Sequence, residues 1–177
     1  MSPDFTKSHF ALFGLPVGYD LDVAALDQTY RDIQREVHPD RFANAADAEK
    51  RIAAQWAMQV NEAYRTLKSP LARGRYLLKL NGIDTEEDSN TAMPVAFLMQ
   101  QMEWREAVVA ARNAHDDLAL EQLAKDKRAE ERALFSLLAE QLSVAATMRE
   151  ARETVRKLRF LEKLGEEIDL ASEAIES

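Results

Sequence analysis

The prolines of this chain stand at the edges of its helical patterns. Pro16, Pro39, Pro70 and Pro94 each fall where a run of helical apolar spacing begins or stops. Proline has no backbone N–H to give to a helix and pushes the residue before it out of helical geometry. Between these stops, Leu26, Tyr30, Ile33 and Val37 recur at i, i+4, i+7 and i+11. Ile52, Trp56, Val60, Ala63 and Leu67 follow at spacings of four, four, three and four, so each set forms one apolar stripe. Five glycines and five prolines in 177 residues are too few for a sandwich or barrel with many tight turns. The expected fold class is all-α.

Read in order, a short opening helix over 9–13 ends at Gly14-Leu15-Pro16. Asp22 caps a helix over 23–37, a loop covers 38–46, and a helix from Asp47 to about Lys68 returns antiparallel to it. Ser69-Pro70 supplies a cap and a first-turn proline for a helix over 70–80, which Asn81-Gly82 ends. An acidic stretch, 83–93, reads as a linker between a first domain, 1–82, and a second, 94–177. Three further helices are predicted over 94–113, 116–145 and 148–174, with Pro94 at the first helical position and Asp116-Asp117 opening the second. The break near 147 is the least marked. Short connections between long helices imply an antiparallel three-helix bundle.

The charge divides with the domains. Residues 1–80 carry eleven Lys/Arg against ten Asp/Glu, a balance of +1; residues 81–177 carry twelve against twenty-one, a balance of −9. The second half therefore repels nucleic acid and anionic lipid. The chain has no cysteine, which excludes disulfides, thiolate metal sites and cysteine nucleophiles. His9, His38 and His115 have no ligand spacing, and no glycine-rich loop leads into Lys-Ser or Lys-Thr. No metal, cofactor or enzymatic activity is expected. No stretch reaches the roughly 18 apolar residues of a membrane span, and the start carries no targeting pattern, so a cytoplasmic protein is expected.

His38-Pro39-Asp40 is the most informative tripeptide. The proline should hold His38 and Asp40 exposed at the tip of the hairpin. Arg31 and Arg35, four residues apart on one helix face, and Arg41 beyond the tip make a small basic rim. With Val60-Asn61-Glu62-Ala63-Tyr64-Arg65-Thr66-Leu67 on the returning helix, this arrangement resembles the J-domain, the module with which DnaJ-type co-chaperones stimulate ATP hydrolysis by DnaK-type chaperones. The resemblance implies that His38, Pro39 and Asp40 are the activating triplet and that Arg31, Arg35 and Arg41 meet an acidic chaperone surface. The family often has lysine where this chain has Arg41.

The helix over 94–113 is apolar on two sides. At about 100° per residue, Phe97, Trp104, Val108 and Ala111 share one face, and Val95, Leu98, Met99, Met102 and Val109 share nearly the opposite one. Such a helix is either buried twice or offers one face to a partner. The sequence alone leaves both open. Glu103 and Glu106 flank the methionine face. On the last helix Leu158, Leu161, Leu164 and Ile168 define a buried stripe, with Phe160 toward its edge.

The whole chain resembles the HscB branch of the J-proteins. The resemblance rests on Phe10-Ala11-Leu12-Phe13-Gly14-Leu15-Pro16, Ser69-Pro70-Leu71-Ala72-Arg73, Tyr76-Leu77-Leu78, Ala96-Phe97-Leu98-Met99 with Glu103 and Arg105-Glu106, and Val155-Arg156-Lys157-Leu158-Arg159-Phe160-Leu161. It implies an L-shaped co-chaperone of iron-sulfur cluster assembly, whose bundle binds the scaffold IscU and delivers it to the DnaK-type ATPase HscA. Leu98, Met99, Met102, Glu103, Glu106 and Phe160 would form the scaffold patch. Ala110 stands where the family commonly has a further acid. Two other readings remain: a general J-domain co-chaperone whose acidic bundle binds other clients, and a helical hydrolase using His38 and Asp40.

Overall fold

In the computed structural model, residues 4–38, 41, 45–85, 87 and 93–176 are described. They form seven helices and, among the described residues, no strand: α1 (His9–Leu12), α2 (Val23–Val37), α3 (Asp47–Lys68), α4 (Pro70–Leu80), α5 (Val95–Ala114), α6 (Asp117–Ser143) and α7 (Ala151–Glu176). The chain divides into two compact units, Met1–Leu77 and Leu78–Ser177.

In the first unit α1 and α2 pack on α3. The Asp22 carboxylate accepts from the Ala25 N–H at 3.0 Å and so fixes the start of α2. Pairings of Asp27 with Lys68 and of Gln34 with Asn61 show that α2 and α3 run antiparallel. Phe10, Leu26, Val60, Ala63 and Leu67 are fully buried between them. Ile52, expected on the α3 stripe, is instead exposed, and Ala53 is buried. The stripe has rotated by one residue in the first turns of α3, beyond the last buried residue of α2, Val37.

Ser69 both ends α3 and starts α4: its N–H donates to the Arg65 carbonyl at 3.2 Å and its hydroxyl accepts from the Ala72 N–H at 3.3 Å. Arg73 is buried beneath this corner, donates to the Leu67 carbonyl at 2.6 Å and lies 5.1 Å from the centre of the Tyr19 ring. Burial lowers the Arg73 pKa and raises that of Tyr19, in each case disfavouring the charged form. A left-handed Gly82, φ 70°, closes α4.

The second unit is a three-helix bundle in which α5, α6 and α7 each pack on the other two. Thr154 donates to Gln141 at 2.8 Å, so α7 returns antiparallel along α6. Phe97 against Phe160 and Arg105 against Glu167 put α5 and α7 parallel. Leu138, Leu142, Val155, Leu158, Leu161, Leu164 and Ile168 fill the interior, as the α7 stripe required. Two local expectations shift. Pro94 is the cap, with ψ 133°, so Val95 is the first helical residue. Turns over 144–150 delay α7 to Ala151, and there the Thr147 hydroxyl bonds the Gln141 and Val144 carbonyls. His115 ends α5 in the left-handed region at φ 53°, a conformation usually left to Gly or Asn.

Candidate binding surfaces

At the hairpin tip, Val37 is the last helical residue and His38 leaves the helix at φ −57°, ψ 132°. That extended geometry is what a following proline imposes. The His38 side chain is exposed, and its carbonyl accepts from the Arg41 N–H at 3.0 Å. Pro39 and Asp40, the other two members of the expected triplet, lie outside the described residues. Arg31, Arg35 and Arg41 are all exposed. Two of the three are tethered within α2: Arg31 donates to Gln28 at 2.8 Å, and Arg35 pairs with Asp32 at 3.1 Å. The Asp32 carboxylate offsets part of the Arg35 charge, so the rim is less cationic than its arginine count suggests.

Behind the tip the hairpin is held by a polar seam. Asn61 accepts from the hydroxyl of Tyr30 at 3.0 Å and from the amide of Gln34. The rings of Tyr30 and Tyr64 stack with centres 3.9 Å apart, and Tyr64 and Lys68 both donate to Asp27, at 3.0 and 2.7 Å. The Lys68 hydrogen bond holds the Asp27 carboxyl below its ordinary pKa, and Asp27 in turn raises that of Lys68. This seam fixes which residues of α2 face which of α3.

On α5 the two apolar faces part. Phe97, Val108 and Ala111 are buried and Trp104 is half-buried. On the other face Met99 is 56% and Met102 61% exposed. Leu98 is half-buried, and Glu103, Glu106 and Ala110 are exposed. Phe160 of α7 is half-buried and meets Phe97, on the covered face of α5, edge-on at 6.0 Å. The structure therefore leaves Met99, Met102, Glu103 and Glu106 exposed together on α5, with Leu98 half-buried at their side, while the contact it shows for Phe160 is with Phe97.

Three features escaped the sequence reading. The Arg105 guanidinium donates to both carboxylate oxygens of Glu167, at 3.0 and 3.1 Å, and ties α5 to α7. Gln101 is buried in the bundle, and neither of its amide atoms has a partner among the described residues. Beyond Glu106 the open face continues into recesses lined by Val109, Arg112 and Leu170. All three follow from tertiary neighbours that α5's own sequence does not specify: helical spacing already put Val109 on the methionine face, but not the groove that it shares with Leu170. Among the described residues no cluster of three or more His, Asp or Glu is placed to hold a metal ion. None of the described helices is long and apolar enough to cross a membrane.

A helical hairpin with His38 at its tip, joined in one chain to a three-helix bundle with an open apolar helix face, is the arrangement of J-domain co-chaperones that carry a second, helical domain. The comparisons narrow the class. Residues 93–169 match the family described as HSCB C-terminal oligomerisation domain. The chain is 52% identical to the co-chaperone protein HscB homolog of Paraburkholderia phymatum, across 96% of this chain and 97% of that one. It is 49% identical to the homolog of Aromatoleum aromaticum along the full length of both. Among solved structures, chaperone HscB from Vibrio cholerae superposes with a TM-score of 0.84 at 35% identity, covering 96% of this chain and 99% of that one. Human co-chaperone protein HscB gives 0.89 at 31% identity, covering 96% and 84%. The chain belongs to the HscB co-chaperone family.

Proposed function

We propose that this co-chaperone binds the iron-sulfur cluster scaffold IscU through its bundle, delivers it to the chaperone HscA, and stimulates HscA ATP hydrolysis through its J-domain. In this reading residues 1–82 are the J-domain, 83–93 the linker and 94–177 the scaffold-binding domain. His38, Pro39 and Asp40 are the activating triplet, rimmed by Arg31, Arg35 and Arg41. Leu98, Met99, Met102, Glu103, Glu106 and Phe160 receive the scaffold. The ATP chemistry stays with the chaperone, and the chain works in the cytoplasm.

The observation that carries this reading is the exposure of Met99 and Met102 on a helix whose other apolar face is already buried. Exposed methionines flanked by Glu103 and Glu106 suit a partner with an apolar patch and basic margins, because the thioether side chain adapts its shape to what it meets. Exposed arginines at the hairpin tip suit fast, weak docking on an acidic surface, each pair adding about 0–1 kcal/mol. Carrying both sites on one chain raises the scaffold's effective concentration at the chaperone.

The test is a steady-state ATPase assay of HscA with IscU, with this chain, and with both. The expected outcome is that the chain stimulates alone and that chain and scaffold together exceed the sum of their separate effects. Turnover unchanged by the chain would reject the J-domain assignment, and purely additive stimulation would reject the coupling.

A further inference from the structure

The six residues of the proposed scaffold patch make a small footprint. A stable interface between folded proteins typically involves about 20–30 residues on each side. A partner centred on Met102 therefore has to cover neighbouring surface, and the shape and chemistry of α5 show where. Val109 lies seven residues past Met102, about 10 Å along the helix and within about 20° of the same face. It is 49% exposed. A shallow recess formed by Glu106, Val109, Ala110 and Asn113 continues the open face directly, since Glu106 belongs to both. That recess shares Val109 and Arg105 with a groove of about 310 Å³ toward α7, whose far wall carries Leu170, 65% exposed.

The charge of this end differs from that of the methionine end. The Arg105 guanidinium is taken up by Glu167, leaving the exposed Arg112 as the cation at the groove. Ala110 contributes a methyl group where the family resemblance calls for an acid, so a basic group on the partner finds no counter-charge there. Glu103 and Glu106 at one end and Arg112 at the other give the face a direction.

We infer that the partner surface continues past Glu106 over Val109 and Ala110 to Leu170, and that this end receives an apolar segment of the same scaffold protein that carries a carboxylate for Arg112. The inference rests on the reading of α5 as the scaffold surface. It makes Val109, Leu170 and Arg112 determinants of affinity and of the orientation in which the scaffold docks.

The experiment titrates purified IscU into the full chain by calorimetry, comparing Val109→Glu, Leu170→Glu and Arg112→Glu with the combined variant Leu98→Ala, Met102→Ala and Phe160→Ala. Val109→Glu and Leu170→Glu are expected to raise Kd about tenfold each, and Arg112→Glu about threefold, with melting temperatures unchanged. Val109→Ser, which adds no charge, should weaken binding in the same direction and guards against an effect of the introduced carboxylate on folding. If the combined variant weakens binding while Val109→Glu and Leu170→Glu do not, the extension is wrong and the α5 reading survives. If the combined variant also binds normally, both fall. Sedimentation velocity of the same proteins supplies the last arm: loss of a dimer in Val109→Glu or Leu170→Glu, with IscU affinity intact, overturns the proposal in favour of a second copy of this chain.

Discussion

Along the α2–α3 seam, Tyr30, Gln34 and Asn61 hydrogen-bond across the hairpin and Asp27 is clamped by Tyr64 and Lys68. These polar pairs flank an apolar strip of Leu26, Val60, Ala63 and Leu67, whereas the α6–α7 seam, apart from the Thr154–Gln141 hydrogen bond, is filled by Leu138, Leu142, Val155, Leu158 and Leu161. The contrast bears on where each unit can bind. A polar seam demands particular partners at particular positions, so it sets hairpin register and with it which residues of α3 stand opposite α2 behind the tip. An apolar seam is satisfied by volume. In the bundle α6 and α7 bury one face of α5 and leave the second apolar face open. One unit thus presents chemistry at a tip and the other along a helix side.

The largest expected effect separates these two surfaces. His38→Gln should abolish stimulation of HscA and leave the IscU dissociation constant unchanged by titration calorimetry. The combined Leu98→Ala, Met102→Ala and Phe160→Ala variant should do the reverse, weakening IscU binding by about tenfold or more while the J-domain still stimulates HscA without scaffold. A variant that damages both activities would erase the distinction between tip and face.

Next in size is the apolar seam itself. Leu161→Ala removes a fully buried side chain from the bundle and should cost about 2–5 kcal/mol. The chain's two tryptophans fall one in each unit, so Trp56→Phe leaves Trp104 as the fluorescence reporter of bundle unfolding. Gln101 provides the opposite sign. Its buried amide has no partner among the described residues, and Gln101→Met should raise bundle stability by about 1 kcal/mol in the same denaturation experiment. A loss would mean that the amide contributes to holding α5.

The smallest effect belongs to the polar seam and is read through pH. The pKa of Asp27 is depressed by folding, so its contribution is complete above the ordinary aspartate value of about 3.9 and is lost as pH falls through the lowered folded value. The pKa of Lys68 is raised, so its contribution is complete below about 10.4 and is lost as pH rises through the raised folded value. Between those limits the clamp is intact. Because it sits near the surface, Asp27→Asn should lower the hairpin's melting temperature only slightly near neutrality. The variant should also flatten the fall in melting temperature below about pH 4, measured by circular dichroism. An unchanged acid limb would remove Asp27 from the seam's energetics.

Much of this protein was legible before any coordinates. Helix boundaries follow from local sterics, so Asp22, Ser69-Pro70, Asn81-Gly82 and Asp116 marked them closely. Periodicity likewise sorted α5 into two apolar faces and placed Leu158, Leu161, Leu164 and Ile168 inside. Ile52 went wrong because an apolar stripe shows which residues could be buried together and does not show where the partner helix ends.

What the sequence determined by itself was the set of helices and the angular position of every side chain around them, because both depend on backbone geometry and neighbours a few residues away. Only the tertiary structure decided which apolar face of α5 was covered, that Gln101 lay inside, that Arg105 met Glu167, and that Val109 and Leu170 lined one groove. Those outcomes depend on where α6 and α7 stand around α5, and such proximity is set by packing the whole bundle, which no local pattern encodes.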